Sequence, residues 1–185
     1  PKKTDIIGPF EVNSGSTRVC NASTSSILIW RKEEWFKVLI HECFHYFKID
    51  SYNNMSAAAE MKQIYPIESD FLMGEVYSET WATILHSIFY AFYKKRSAFP
   101  ILQKERRHSI KQTIHILQHM DLVYNDIISH PTTKYKENTN VFCYYIAKMV
   151  CMHHINDYIK CFPITSPPMC NKSLPQFIEK YFNTK

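Results

Sequence analysis

A chain of 185 residues with 45% hydrophobic and 15% aromatic residues can bury a sizeable core, which excludes an intrinsically disordered chain. The formal net charge of +5 is modest, so we expect no nucleic-acid partner. Only three glycines are present, which disfavours a β-rich architecture built on many tight turns.

The sequence contains no sign of membrane insertion or secretion. No window of about 18 residues is uninterruptedly apolar, so we expect no membrane span. Residues 1 to 5 lack the apolar centre of a signal peptide. The six cysteines show no C-x-x-C spacing, which gives no support to a thiolate metal site and favours a reducing compartment such as the cytoplasm.

The front of the chain has strand character. Residues 6 to 20 alternate loosely between apolar and polar side chains, and turn-forming residues occupy positions 13 to 16. Residues 26 to 30 form a β-branched and apolar run, the strongest strand signal in the chain. We expect a hairpin or small sheet that leads into a helix over about residues 32 to 50.

The remainder is predicted to be helical. A short helix is expected at residues 57 to 61, and a long helix capped by Ser69 or Asp70 should extend to about Arg96. Three further helices are predicted over residues 100–119, 140–160 and 174–182.

The predicted fold class is therefore α+β and helix-dominated, with a small N-terminal sheet packed on the first long helix. We expect one domain over residues 1–185. The sheet and first long helix occupy about residues 6–50, and a helical lobe occupies about residues 69–185.

The first long helix contains His41-Glu42-Cys43-Phe44-His45. Residues four apart lie on one face of a helix, so His41 and His45 can present two imidazoles to one point. Glu42 lies roughly a quarter-turn away, within reach of a water at that point. This is the minimum set for zinc-assisted hydrolysis, and the alternative is an ordinary amphipathic helix with two histidines.

A third metal ligand is predicted on the long helix that follows. Glu75 and Glu79 are four apart, and on an exposed helix they would repel each other by a few tenths of a kcal/mol. A nearby cation would reverse the sign of that interaction. The alternative, a solvated acidic face, is weakened by the apolar Val76, Tyr77 and Trp81 around the two glutamates.

This combination resembles a gluzincin, the clan of zinc peptidases in which His-Glu-x-x-His precedes a glutamate ligand on a second helix. The match of Glu75-Val76-Tyr77-Ser78-Glu79 to the clan's pattern implies that Glu75 is the third ligand and that Glu79 orients a ligand histidine. The reverse assignment stays open, because Glu79-Thr80-Trp81-Ala82 also resembles a ligand segment.

Residues 12 to 82 also resemble uncharacterised metalloproteases of large DNA viruses, which extends the expected location to a virion or its host cell. The separation of His45 and Glu75 is longer than in thermolysin-like enzymes, so residues 51 to 68 would be an insertion beside the cleft. The resemblance carries no known substrate, and nothing in the sequence indicates the oligomeric state.

The resemblance implies a zincin-like fold, one Zn²⁺ ion and hydrolysis of a protein or peptide, with Glu42 as general base. An extended peptide would add along a strand edge, for which the expected residues are Ile27, Leu28, Ile29 and Trp30. The candidate donors to the oxyanion lie on the helix predicted over residues 140–160 and are Tyr144, Tyr145, His153 and His154.

Two other functions stay open. One is a catalytically idle interaction module that keeps the zincin fold, and the other is a zinc amidohydrolase that acts on an amide other than a peptide. Glu42 favours catalysis over the idle module, because a purely structural metal site needs no base.

His115 and His119 are also four apart, but the polar glutamines near them indicate a solvated face.

Overall fold

The computed structural model describes residues 6–19, 25–50, 55–128, 131–164 and 172–182. In chain order its helices and strands are α1 (Pro9–Val12), β1 (Gly15–Arg18), β2 (Ser26–Ile29), α2 (Trp35–Tyr46), α3 (Met55–Ile64), α4 (Met73–Tyr93), α5 (Ala98–His119), α6 (Lys148–His153), α7 (Ile155–Cys161) and α8 (Leu174–Phe182). Two 3₁₀ turns at Lys32–Glu34 and Tyr124–Ile127 and a π-helical segment at Phe142–Ala147 complete the described elements. The protein is α+β and helix-dominated, as predicted.

The small N-terminal sheet consists of β1 and β2, which pair antiparallel with Gly15 opposite Ile29 and Arg18 opposite Ser26. The extended pattern predicted from residue 6 is wrong for its first half, which forms the short helix α1. Proline at the first position of α1 suits a helix start. The Gly8 N–H donates to Glu11 Oε2 at 3.0 Å, which closes that turn.

The strand β1 lies directly on α2 because residue 15 is a glycine. A Cβ atom at this position would lie 2.7 Å from Val38 Cγ1 and 2.9 Å from Glu42 Oε1. Both distances are shorter than a Cβ atom tolerates to a non-bonded carbon or oxygen atom. Any side chain here would therefore push the sheet away from the helix that carries the His-Glu-x-x-His motif.

The helix α2 ends at Tyr46, four residues before its predicted end. Lys48 adopts a left-handed conformation with φ of 54°. The Ile49 N–H donates to the Phe44 carbonyl at 2.9 Å, and the Lys48 N–H donates to the His45 carbonyl at 3.1 Å. This pair of bonds is the Schellman motif, and it turns the chain back toward the helix it has just left.

The helix α4 begins at Met73, so its N-cap position is Leu72 and not the predicted Ser69 or Asp70. Ser69 Oγ instead accepts a hydrogen bond from the Phe71 N–H at 3.3 Å, within the turn that precedes the helix. Phe71 has a left-handed φ of 51°, which is incompatible with a helix that starts earlier. At its other end α4 stops at Tyr93, where a second Schellman motif forms around Lys95.

The prediction of one continuous helix over residues 140–160 is wrong. It divides into the π-helical segment, α6 and α7, with a break at His154, where φ is −108° and ψ is 37°. A π-helical turn inserts one additional residue, so it rotates the side chains that precede it relative to those that follow. Every residue in this run is compatible with an α-helix, and its apolar pattern contains no sign of the interruption.

The core surrounds α4, whose residues from Val76 to Ile84 are buried on all sides of the helix. An aromatic cluster fills the space between the α3–α4 connection, the π-helical segment and α8. Its ring centroids are 4.4 Å apart for Tyr65 and Phe182, 4.8 Å for Tyr65 and Phe142, and 5.0 Å for Phe71 and Phe142. Among the described residues, no helix has the length and apolar character needed to cross a membrane.

Replacing Gly15 by alanine should destabilise the protein by about 1–3 kcal/mol, because the new methyl group overpacks the contact between β1 and α2. Urea unfolding monitored by circular dichroism measures this change. Gly8→Ala is the matched control. The nearest atom to a Cβ there is Glu11 Oε2 at 3.4 Å, so the free energy of unfolding should change little. Equal effects at the two positions would contradict the close approach at Gly15.

Candidate metal centre

The packing of α2 against α4 brings together three side chains that the sequence singled out. His41 Nε2 lies 3.2 Å from Glu75 Oε2, and His45 Nε2 lies 3.3 Å from the same oxygen. The two Nε2 atoms are 2.9 Å apart. His41 is buried and the other two are half-buried. Within the described residues, this is the group of histidine and carboxylate side chains whose ligand atoms could hold a metal ion.

The opposite nitrogen of each imidazole is bound to another carboxylate. His41 Nδ1 lies 3.1 Å from Glu79 Oε2, and His45 Nδ1 lies 2.7 Å from Asp50 Oδ2. An ionised carboxylate can only accept, so Nδ1 is the donor in both contacts. A neutral imidazole that carries its proton on Nδ1 has a lone pair on Nε2. The two Nε2 lone pairs and the Glu75 oxygen therefore converge on one point, which a cation or protons must occupy.

The titration of these groups follows from the same geometry. Burial alone lowers the pKa of His41, but hydrogen bonds to Glu75 and Glu79 and their charges outweigh it and raise the pKa to about 9. Burial also lowers the pKa of His45. The hydrogen bonds to Asp50 and Glu75 and the charges of these carboxylates outweigh burial and raise the pKa of His45 to about 10. Burial raises the pKa of Glu75, yet the two histidines bring it down to about 2.

Glu79 is a buried carboxylate held by two lysines as well as by His41. Its Oε1 accepts hydrogen bonds from Lys37 Nζ at 2.8 Å and from Lys148 Nζ at 3.0 Å. Burial raises the pKa of Glu79, but the charges of Lys37 and Lys148 outweigh it and hold that pKa well below its usual range. Glu79 therefore stays ionised, with its two oxygens shared between the lysines and the imidazole of His41.

Glu42 follows His41 in the chain, and its carboxylate is held by the sheet. Thr17 Oγ1 donates to Glu42 Oε2 at 2.7 Å, and Gly15 lies against Glu42 Oε1. Both His41 and Glu42 line a cavity of about 330 Å³. The cavity is mainly polar in its lining, and Asn13, Ser14 and Gly15 contribute to its wall. Of the three candidate ligands, His41 shares this cavity with Glu42, whereas His45 and Glu75 are not among the residues that line it.

The four predicted oxyanion donors divide into two groups. Tyr144 and Tyr145 line the cavity, and the Tyr144 ring lies 6.0 Å from the His41 ring. His153 and His154 do not. Arg106 Nη2 lies 2.9 Å from His153 Nε2, and His154 stacks on Tyr181 of α8.

Helix geometry accounts for this division. Nine residues make about two and a half turns of a regular helix, so residues nine apart point in opposite directions. Tyr144 and His153 are nine apart, as are Tyr145 and His154. The structure accordingly places His153 and His154 outside the cavity that Tyr144 and Tyr145 line.

The strand residues expected to bind a substrate lie on β2 and just beyond it, and none of them lines the cavity. Leu28 and Trp30 are exposed. The indole Nε1 of Trp30 donates to the Asn13 carbonyl at 3.1 Å, on the segment that does line the cavity. The wall beside Glu42 is therefore formed by the chain leading into β1, with β2 behind it.

Four residues of the site carry no motif and were not predicted: Thr17, Lys37, Asp50 and Lys148. Asp50 had a local signal, since a helix that ends soon after His45 can return an acidic side chain to it. Lys37 is one turn before His41, on the same face of α2. Thr17 and Lys148 come from other parts of the chain, and no pattern in the sequence links them to the motif.

No family model matches the chain, and searches of curated proteins and of solved structures found no match. Functional inference for this protein consequently depends on the geometry of the site itself.

In the metal-free protein, stability should fall as the pH rises from about 6.5 toward 9, because His41 and His45 have raised pKa values. Below pH 6.5 the folded and unfolded chains both hold these protons. Above it the unfolded chain releases them first, so their contribution is lost as the pH passes through the folded-state values. We expect a loss of several kcal/mol, up to about 1.4 kcal/mol per pH unit for each imidazole, in urea unfolding with a chelator present.

The comparison variant for this measurement is His45→Gln, which removes one of the two titrating imidazoles. Its stability should depend less on pH over the same range. Parallel curves for the variant and the wild type would show that the two imidazoles are not held by the carboxylates in the way described.

Proposed function

We propose that the protein is a zinc-dependent peptidase with a zincin-like arrangement of sheet and helices. The observation that carries this proposal is the convergence of His41 Nε2, His45 Nε2 and Glu75 Oε2 on one point, with both Nδ1 atoms already donating to other carboxylates. Three acceptors that face one point repel each other unless protons or a cation lie between them. Glu42 in the adjoining cavity supports a catalytic rather than a structural role for that cation.

The donor set and its spacing fit zinc. Zinc–nitrogen bonds of 2.0–2.1 Å in a tetrahedral site place neighbouring ligand atoms about 3.3 Å apart. The three separations here are 2.9, 3.2 and 3.3 Å. Two imidazoles and one carboxylate suit zinc, whereas magnesium and calcium prefer ligands that are all oxygen. Three protein ligands also leave a coordination position open, as catalytic zinc sites require.

Within this proposal each side chain has a defined role. His41, His45 and Glu75 would hold the ion, which when bound supplies a Lewis acid that acidifies water and polarises a carbonyl. Glu79 and Asp50 accept hydrogen bonds from the Nδ1–H groups. These bonds hold each imidazole in the tautomer whose Nε2 has a free lone pair. The geometry favours Glu75 over Glu79 as the third ligand, because Glu79 is occupied by His41 Nδ1 and two lysines.

Glu42 would act as the general base. Its carboxylate faces the cavity that His41 also lines, and it would accept a proton from water and return that proton to the leaving amine. The hydrogen bond from Thr17 fixes one carboxylate oxygen. Oε1 of Glu42 would then be the oxygen that takes the proton from water.

The cavity supports an extended substrate with an amide bond. Tyr144, Tyr145 and Lys148 contribute hydrogen-bond donors to its wall, and any of the three could bind the carbonyl oxygen as it gains negative charge. The segment leading into β1 offers backbone groups on the other side. Peptides satisfy both walls at once, which favours a peptidase over a hydrolase of small amides.

Purified protein should bind close to one equivalent of zinc, and His41→Ala or His45→Ala should abolish this binding. Metal analysis after dialysis measures it. His115→Ala is the matched control, since His115 is exposed on α5, and it should retain the ion. Glu75→Gln should weaken zinc binding more than Glu79→Gln, for which about 10–100-fold is expected from the loss of an orienting contact. A wild-type protein that binds no zinc would refute the proposal.

Glu42→Gln should keep the bound zinc and lose at least about 100-fold of the rate of peptide hydrolysis, because the amide cannot accept the proton. A peptide library, with and without a zinc chelator, provides the assay. Glu33→Gln is the control for loss of a nearby charge and should leave the rate unchanged. Zinc binding without cleavage of any peptide by the wild type would favour the idle interaction module or a different amide substrate.

A further inference from the structure

The end of the helical hairpin formed by α4 and α5 exposes large aromatic side chains. Phe92 and Tyr93, in the last turn of α4, are 84% and 77% exposed. Phe99, in the first turn of α5, is 67% exposed. We call residues 92–99 the hairpin tip. Isolated exposed apolar residues are normal, but a contiguous group marks a surface that contacts a partner.

The apolar surface continues from the hairpin tip along the outer face of α4 to the start of α2. Ile88 and Phe89 are exposed on that face, whereas Ser87 and Ala91 on the opposite face are buried. The Phe89 ring lies 5.7 Å from the Phe36 ring. Trp35, which is exposed, packs on Phe36 with the ring centroids 5.4 Å apart. Apolar side chains thus form one connected patch on this side of the molecule.

Positive charge accompanies this patch. Lys94, Lys95 and Arg96 are all exposed in the turn of the hairpin tip. Lys94 Nζ lies 4.9 Å from the centroid of the Tyr93 ring, so the cation and the aromatic surface are in contact. Residues 80 to 104 contain no aspartate or glutamate. The acidic residues nearest to the patch in sequence are Glu33 and Glu34, which precede Trp35, and Glu105, six residues after Phe99.

We propose that the hairpin tip binds the surface of a membrane that contains anionic lipids. Aromatic side chains next to lysine and arginine suit the headgroup region, where rings reach the acyl boundary and cations contact phosphate groups. The contact is peripheral and needs no membrane-spanning helix. A nucleic-acid surface would require cations distributed along a groove, whereas here three consecutive cations stand beside phenylalanine and isoleucine side chains.

Vesicle flotation tests this proposal with the full chain as it stands. We expect binding to vesicles of phosphatidylcholine with about 30 mol% phosphatidylserine, weaker binding to phosphatidylcholine alone, and a decrease as salt rises. Phe92→Ser with Tyr93→Ser should reduce binding at least about tenfold, since both rings leave the interface. Lys94→Gln with Lys95→Gln should reduce binding about 25-fold, because each lysine contributes roughly fivefold.

Two control variants match these changes in chemistry but lie elsewhere. Phe10→Ser removes a phenylalanine that is 95% exposed on α1. Arg107→Gln with Lys111→Gln removes two exposed cations farther along α5. Both should bind vesicles within about twofold of the wild type, since neither lies at the proposed interface. Circular dichroism establishes that each variant is folded.

Three results would overturn the proposal: equal binding to neutral and anionic vesicles, no binding to either, or equal losses in the tip variants and the control variants. Size-exclusion chromatography of the same proteins adds a fourth. If the wild type is a dimer that Phe92→Ser with Tyr93→Ser converts to a monomer, and no vesicle binding is seen, the patch is an interface between copies of this chain. Vesicle binding does not require zinc, so its outcome is independent of the proposed peptidase activity.

Discussion

The buried carboxylate of Glu79 connects the elements on which the site is built. One of its oxygens accepts from Lys37 on α2 and from Lys148 on α6, and the other accepts from Nδ1 of His41. This carboxylate must remain ionised, because its protonation would remove the counter-charge that the buried Lys148 pairs with. Glu79 therefore fixes both the distance between α2 and α4 and the tautomer of His41.

The arrangement on the other side of the histidines follows from that constraint. With His41 oriented by Glu79, and His45 oriented by Asp50, both Nε2 atoms face the oxygen of Glu75. These three acceptor atoms repel each other unless protons or a cation lie between them. The raised pKa values of the two histidines and the lowered pKa of Glu75 correspond to bound protons, and a bound metal ion would take their place.

Helix periodicity was sufficient to find the residues at the centre of the site. His41 and His45 are four apart, as are Glu75 and Glu79, and regular helices place each pair on one face. The helix-dominated α+β class and the small N-terminal sheet were also predictable, since strand and helix patterns are distinct in this chain. Local sequence contains enough information for these features because each depends on residues within a few turns.

Features that depend on tertiary contacts or on backbone irregularity could not be predicted. The approach of Thr17 to Glu42 requires a strand to lie on α2, and that approach depends on the absence of a side chain at Gly15. Lys148 reaches Glu79 from a segment 69 residues away. The π-helical segment before Lys148 and the break at His154 leave no mark in the apolar pattern of residues 140–160.

The central claim is that a metal ion binds between two imidazole nitrogens and one carboxylate oxygen. X-ray absorption spectroscopy at the zinc edge of the zinc-loaded protein tests this directly. We expect nitrogen and oxygen scatterers at about 2.0–2.1 Å, the multiple-scattering signature of two imidazoles and no sulfur at about 2.3 Å. Cys43 lies within the motif but is two residues from each histidine, so it faces away from the point where the two imidazoles converge. A sulfur shell, or fewer than two imidazoles, would contradict the account.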